Sequence, residues 1–359
     1  MSSATGGWTN RRRIQGLTVF AALVVIGAAV NVLFPGSDAA SIVGIVGPDY
    51  LSASLRLTVP IAFAALSGIF AEKSGVINIG IEGLLIISAF TGVAVTDALA
   101  GGGTASQGVV WVGFFAAVLS SVLLSLLFAV ACIEFEADQI IAGLAVWLIA
   151  LGFAPFASRV LWGSVNSTSV STLNSWAIPV LSGIPVLGTI FFDGSPTTYM
   201  LLVSVPLAWV VLNRTPFGQW IHASGENPKA LDTVGVDVHR VRYVSLLVSG
   251  VFAGIGGASL SLVQVGEFIG NGQTMVSGRG FIGITAYLFG NYNPIGAFGA
   301  SFLFAGLERL QISLQQLGYN VPPQLVGMIP YVTVVVVLAF VGRTRIPEAA
   351  GEHYESGEN

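Results

Sequence analysis

Residues 51–97 read LSASLRLTVPIAFAALSGIFAEKSGVINIGIEGLLIISAFTGVAVTD. Two apolar runs, 51–71 and 78–97, flank a short polar interruption. About 20 apolar residues in a helix cross the roughly 30 Å hydrocarbon core of a bilayer. Each run is therefore read as a membrane span, with a tight connection carrying Glu72, Lys73 and Ser74.

The same pattern recurs along the chain. Ten spans are expected, at 15–34, 51–71, 78–97, 109–132, 139–158, 199–213, 243–265, 279–291, 295–313 and 325–342. The eighth is short and suits a half-helix or re-entrant segment. Composition agrees. Hydrophobic types make up 54% of the 359 residues and charged types 9%, against about 25% charged in soluble domains. Too few charges exist to coat a soluble globule, so the expected fold class is all-α, a polytopic integral membrane protein with broken or re-entrant segments. The 45 glycines suit close helix contacts and helix breaks. Cys132 has no partner for a disulfide, and no Cys/His cluster suits a metal. A pI near 5.3 without a basic stripe excludes nucleic acid as a partner.

Positive charge orients the spans. With the N-terminus inside, ten of fourteen Lys and Arg residues fall on the cytoplasmic side, including Arg11, Arg12, Arg13, Arg343 and Arg345. Both termini are expected in the cytoplasm of a multi-pass protein of the cell membrane. Residues 1–14 form the inner N-terminus, 15–345 the membrane domain and 346–359 an acidic, mobile tail. Residues 159–198 form a long outer loop and 214–242 an inner one.

The inner loop contains GENPKALDTVG at 225–235. Asn227 suits an N-cap, Pro228 the first helical turn and Gly235 the left-handed residue past the end. Glu226 lies at the positive end of the helix dipole. So short a helix is marginal alone in water. It is either a solvated turn or a docking helix for a partner.

This segment resembles the coupling loop of ABC importer permeases. SGVINIGIEG at 74–83 is similar to the signature of nucleoside and simple-sugar permeases, relatives of the ribose and branched-chain amino-acid permeases. GRGFI at 278–282 with FGNYNP at 289–294 resembles the second-half signature, and Pro330-Tyr331 also fits. His222 stands where that family often has arginine, and Leu231 where a second alanine is common.

The resemblance implies a type II ABC importer-like fold and import of a nucleoside or simple sugar. It also implies an ABC ATP-binding subunit, a second permease chain of the same or another kind, and an extracellular substrate-binding protein. Gly225, Glu226, Asn227, Pro228, Lys229, Ala230, Asp232 and Gly235 would couple this chain to the ATPase. The chain has no Gly-x-x-x-x-Gly-Lys-Ser/Thr loop, so ATP and Mg belong on the partner. No catalytic residue and no cofactor are expected here.

Ionisable and amide groups at membrane depth point to function. Asn78 and Glu82, four residues apart, share a face if both are helical, with Gly83 beside them. They either line a pathway or gate, or serve helix packing with Glu82 paired to a buried donor; the resemblance favours the pathway. Gln264, Glu267, Asn271 and Arg279 form a second polar group, a pathway wall or a solvated loop, with Phe268 and Phe281 as candidate aromatic faces for a polyol. Glu72 and Lys73 are read as an ordinary turn, and Glu308 with Arg309 as a helix-end pair. An ion-coupled carrier for a small polar solute is the alternative, with Glu82 as its candidate acid. A membrane enzyme is disfavoured, because His222, His239 and His353 all fall outside the spans.

Overall fold

Pro48, in the first turn after an extended Gly47, opens helix α1 (Pro48–Lys73). The computed structural model describes residues 47–317, 322, 325, 328, 332 and 346–354. The expected spans 15–34 and 325–342 lie outside the described residues, apart from the isolated positions 325, 328 and 332.

The order continues with α2 (Ile81–Ala100), α3 (Gln107–Ile133) and α4 (Gln139–Trp162). After a long loop come α5 (Pro196–Arg214), α6 (Pro216–Glu226), α7 (Pro228–Thr233) and α8 (Val238–Ser259), which runs on as a π-helical stretch to Val265. Last are α9 (Arg279–Phe289) and α10 (Pro294–Gln316). A two-residue antiparallel ladder, β1 (Trp176–Ala177) with β2 (Asp193–Gly194), closes the long loop.

Six helices among the described residues, α1 to α5 and α8 with its extension, are long and apolar enough to cross a membrane. The expectation of ten is thus met for six. The segment expected at 279–291 is an 11-residue helix, about 16 Å long at roughly 1.5 Å per residue, which is half a span. α10 is long enough but not among the six.

Hydropathy does not say which helix is innermost. α1 is buried almost throughout, whereas α4 exposes Ile141, Leu148, Ile149, Phe156 and Val160. Exposed apolar residues on this scale would be a liability in water; on a span they face lipid. Inside, small residues bring backbones together, as in other membrane bundles. On α8, a Cβ at Gly254 would lie 2.7 Å from Val118 Cα of α3, and one at Gly257 2.3 Å from the Leu85 carbonyl of α2. Ser121 and Ser125 of α3 donate to the Gly250 and Leu246 carbonyls at 2.8 and 2.7 Å. Ser67 of α1 meets Ser249 of α8 at 2.7 Å.

Pro60 inside α1 has no N–H, so the Arg56 carbonyl loses its helical partner. Gln264, where α8 ends, supplies the missing donor to that carbonyl at 3.1 Å.

Candidate functional site

Between α1 and α2 the chain stops being helical. Residues 74–80 run as a turn and extended stretch, with Gly75 left-handed at φ +96°. Gln139 accepts the Ile77 amide at 2.7 Å, and a Cβ at Gly143 would sit 3.0 Å from the Gly80 nitrogen. The stretch is thereby pressed against α4. Asn78 is buried and precedes the start of α2 at Ile81. Asn78 is not helical, so it does not share a helix face with Glu82; the chain is broken at this glycine-rich segment. Asn78 Nδ2 has no partner among the described residues.

A second break faces the first. After α8 the chain runs irregularly through 266–278, and α9 starts beyond a left-handed Gly278 (φ +82°) with no side-chain cap of its own. Glu82 provides the cap from across the molecule. Its Oε1 accepts the Gly278 amide at 2.7 Å and its Oε2 the Gly280 amide at 2.6 Å. A carboxylate at a helix N-terminus also faces the positive end of the dipole. Contact is tight: Cβ atoms at Gly280, Gly283 and Gly83 would lie 2.7 Å from Glu82 Cα, 2.6 Å from Ala64 Cβ and 2.8 Å from the Val146 carbonyl. Gly283 meets the middle of α1, so the junction lies well inside the bundle. Glu82 is thus paired to buried donors at the point where the two breaks meet.

Arg279, next to this junction, pairs with Glu308 of α10 at 2.6 Å and donates to the Met275 and Val276 carbonyls. The expected pairing of Glu308 with Arg309 is corrected, because α9 and α10 form a hairpin that brings Arg279 to Glu308. Glu72 is corrected as well. It is a buried carboxylate receiving the Tyr287 and Tyr292 hydroxyls, the latter at 2.8 Å. That network clips the end of α1 to the turn between α9 and α10.

The remaining expected residues disperse. Gln264 serves the Arg56 carbonyl, Glu267 is half-buried and Asn271 is exposed. Phe268 is fully buried against Phe90, and Phe281 packs on Trp147, so the Phe268 ring offers no free face to a solute. Residues 266–270 also pair with the long loop: Ser167 and Val170 amides donate to the Phe268 and Gly266 carbonyls at 2.9 and 2.7 Å.

Two cavities lie towards opposite ends of α1. One, about 340 Å³, is lined by Arg56, Arg309, Gln264, Ser175 and Ser195 among others. The other, about 260 Å³, is lined by Lys73, His222, Glu226, Asn291, Tyr292 and Pro347. Arg56 and Lys73 are about 25 Å apart along the helix at roughly 1.5 Å per residue. In the second cavity, burial and then the Lys73 ammonium push the His222 imidazole down to about 4, against a partial upward pull from a Leu212 backbone hydrogen bond. Lys73 Nζ lies 3.4 Å from His222 Nε2.

The loop at 214–242 has the expected capped helix and one more. Asn227 accepts the Ala230 amide at 3.1 Å, Pro228 opens α7, and Gly235 is left-handed at φ +79°. Leu231 is buried in the main core, while Lys229, Ala230 and Val234 are exposed. The preceding α6 was legible in the same way but missed. Thr215 before Pro216 repeats the pattern of Asn227 before Pro228, and Thr215 Oγ1 accepts the Gly218 amide at 3.2 Å.

The acidic tail also departs from expectation. Residues 346–354 lie folded against this loop, with Ala349 and Tyr354 buried. The Gly225 carbonyl and the Arg242 and His239 side chains receive them, contacts that composition does not reveal. Among the described residues no group of three or more His, Cys, Asp or Glu side chains could hold a metal ion.

Broken helices meeting inside an apolar bundle, with their polar ends satisfied internally, are a mark of membrane transporters, and that is the class this fold defines. The chain belongs to the family described as branched-chain amino acid transport system / permease component, which matches residues 50–338. It is 36% identical over 326 residues to a guanosine ABC transporter permease protein of Bacillus subtilis, covering 89% of this chain and 99% of that protein. A nucleoside ABC transporter permease protein of Lactococcus lactis is 35% identical over 304 residues, 84% of this chain and 94% of its own length. A putative glucose ABC transporter permease protein of Haloferax volcanii is 30% identical over 312 residues, 81% and 90% of the two chains. No solved structure matches this chain. The chain is thus a membrane-embedded permease subunit of an ABC transporter.

Proposed function

We propose that this chain imports nucleosides or simple sugars by alternating access, driven by a separate ATP-binding subunit that docks on α7 from the cytoplasm. The observation that carries the docking is the build of α7. It is six residues long, too short to persist alone in water, yet capped at both ends and anchored by buried Leu231 with its other face exposed. Gly225, Glu226, Asn227, Pro228, Lys229, Ala230, Asp232 and Gly235 form this coupling element. The substrate class is supported by the guanosine, nucleoside and glucose permeases among the relatives.

In this reading the cavity at Arg56 opens outward, where a substrate-binding protein delivers solute, and the cavity at Lys73 opens inward. Asn78, Glu82 and Gly83 with Arg279 form the gate between them, and Gln264, Glu267 and Asn271 the outer wall. A second permease chain completes the assembly. Both termini are cytoplasmic. Movement of α7 biases the bundle between two states, a coupling between distant sites. An ion-coupled carrier is disfavoured by Glu82, whose two oxygens are taken by backbone amides.

The test is purification of the tagged chain from its native membrane in mild detergent, with co-purifying proteins identified by mass spectrometry. An ATPase should accompany it, and proteoliposomes carrying the complex and its binding protein should take up labelled guanosine or glucose only with ATP. A chain that repeatedly purifies alone and transports without ATP would overturn the proposal.

A further inference from the structure

Residues 346–354 make a dense set of contacts for a segment of nine residues. The Ala349 amide donates to the Gly225 carbonyl at 2.8 Å, just before α7. Two residues on, the Gly351 amide donates to the Gly75 carbonyl at 3.0 Å, inside the break between α1 and α2. One short segment thus holds the loop and the helix break together. Arg242 Nη1 and His239 Nε2, both on α8, donate to the Glu352 and Tyr354 carbonyls at 3.0 Å each. The His239 ring meets the Tyr354 ring edge-on at 5.9 Å. The Tyr354 side chain is buried, and its hydroxyl bonds the Asp232 carboxylate of α7. Burial and that carboxylate hold the phenol up at about 12, so it keeps its proton and donates.

The geometry is that of a brace between three elements. Gly351 is left-handed at φ +86°, which turns the segment over Ile77; a Cβ there would lie 3.1 Å from Ile77 Cδ1. The loop and the break also touch directly. This contact includes the Ser224 hydroxyl on the Ser74 carbonyl at 2.8 Å, Gly225 packed on the Lys73 carbonyl, and Gly75 close to the Ser224 carbonyl and Arg242. A lone hydroxyl contact of this kind is a weak tie. The brace adds several parallel bonds and a buried aromatic.

We infer that residues 346–354 are a transmission strap, which carries displacement of α7 to the helix break at 74–80, with Tyr354 as the positioning residue that grips α7. The inference rests on α7 being the docking helix. Displacing α7 pulls Asp232 and Gly225; the strap moves with them and draws Gly75, three residues from Asn78 and seven from Glu82. The strap reaches the loop at Gly225 and Asp232, whereas Lys229 and Ala230 of α7 are exposed, so docking and transmission are read by separate measurements.

The test uses the full complex with its co-purifying ATPase and three variants: a stop codon after Pro347, Tyr354→Ala and Tyr354→Phe. The readout is amide hydrogen exchange across residues 74–83, with and without trapping by ATP and vanadate. The stop and Tyr354→Ala variants should still bind the ATPase in unchanged amount. They should lose the ATP-driven change at 74–83 by about five-fold or more, the usual floor for a coupling between sites. Tyr354→Phe, which keeps the ring, should fall between them and the parent. A full-sized ATP-driven change in both truncating variants would overturn the strap, as would loss of the ATPase from them, which would make the segment part of the docking surface.

One arm needs no ATPase. In the isolated chain, the stop and Tyr354→Ala variants should raise exchange at 74–80 by about five-fold or more, because local opening follows lost contacts. Unchanged exchange there overturns the strap whatever the fate of the docking proposal. Absence of any ATPase from the parent complex, with this arm positive, would instead remove the docking proposal and leave only the tie.

Discussion

Glu82 Oε2 accepts the Gly280 amide at 2.6 Å across a sequence separation of 198 residues. The two residues open α2 and α9, and each helix starts inside the bundle, not at its surface. One carboxylate thus ends two breaks at once. It satisfies amides that the start of α9 leaves open and places a negative charge at that helix's positive end.

Glu82→Gln should be destabilising, since an amide NH₂ cannot accept from Gly280 or Gly278. One or two buried amides lose their acceptor, a cost of about 1–3 kcal/mol each. Thermal unfolding of the purified chain in detergent should show it, and ATP-driven uptake should fall in step. An unfolding midpoint equal to the parent's would remove the capping role. Uptake that shifts only in its proton or sodium dependence would revive the ion-coupled carrier.

Gly283→Ala tests the closeness of α9 to α1. The new Cβ would lie 2.6 Å from Ala64 Cβ, and neither backbone has room to give. Overpacking of this kind costs about 1–3 kcal/mol. Ala64→Gly in the same chain should recover most of the loss, and a double mutant no better than the single would show that another contact is limiting.

On α7, opposite faces should respond differently. Ala230→Arg and Val234→Arg change exposed positions and should leave stability within about 0.5 kcal/mol while the ATPase no longer co-purifies. Glu226→Ala should lower substrate-stimulated ATPase activity with membrane insertion intact. Leu231→Ala should instead destabilise the fold by about 2 kcal/mol or more through the cavity it leaves. Undiminished ATPase recovery with both arginine variants would sink the docking assignment.

His222 gives a pH dependence with a definite sign. Unfolded, its imidazole takes a proton near pH 6.5 or about there; folded, burial and Lys73 hold it down to about 4. In that window the unfolded chain binds more protons, so stability rises with pH. The contribution is complete above the unfolded value and is lost as pH falls towards the folded one. His222→Gln should flatten the slope of unfolding midpoint against pH in this interval, and an unaltered slope would assign the dependence to other groups.

How much was legible differs by residue. Asn227, Pro228 and Gly235 announce α7 because caps and left-handed turns depend on a few neighbouring residues. The start of α2 was misplaced by three residues, at Asn78 instead of Ile81, because apolar content continues across the break. The partners of Glu72 and Glu308 were not legible. Tyr287 lies 215 residues from Glu72, and no local pattern records such a meeting.

The sequence by itself determined the membrane class, the six helices among the described residues that are long and apolar enough to cross a membrane, the half-length of α9 and the capped helix of the 214–242 loop. These follow from apolar run length, charge scarcity and cap chemistry, all properties of contiguous residues. Only the tertiary structure decided that α1 is deeply buried and α4 leaves an apolar face exposed, that Glu82 caps α9, that Gln264 answers the carbonyl freed by Pro60, and that residues 346–354 bind back on the α7 loop. Each of these depends on which polar group finds which partner once the helices pack, and hydrophobicity, uniform along such spans, carries no address.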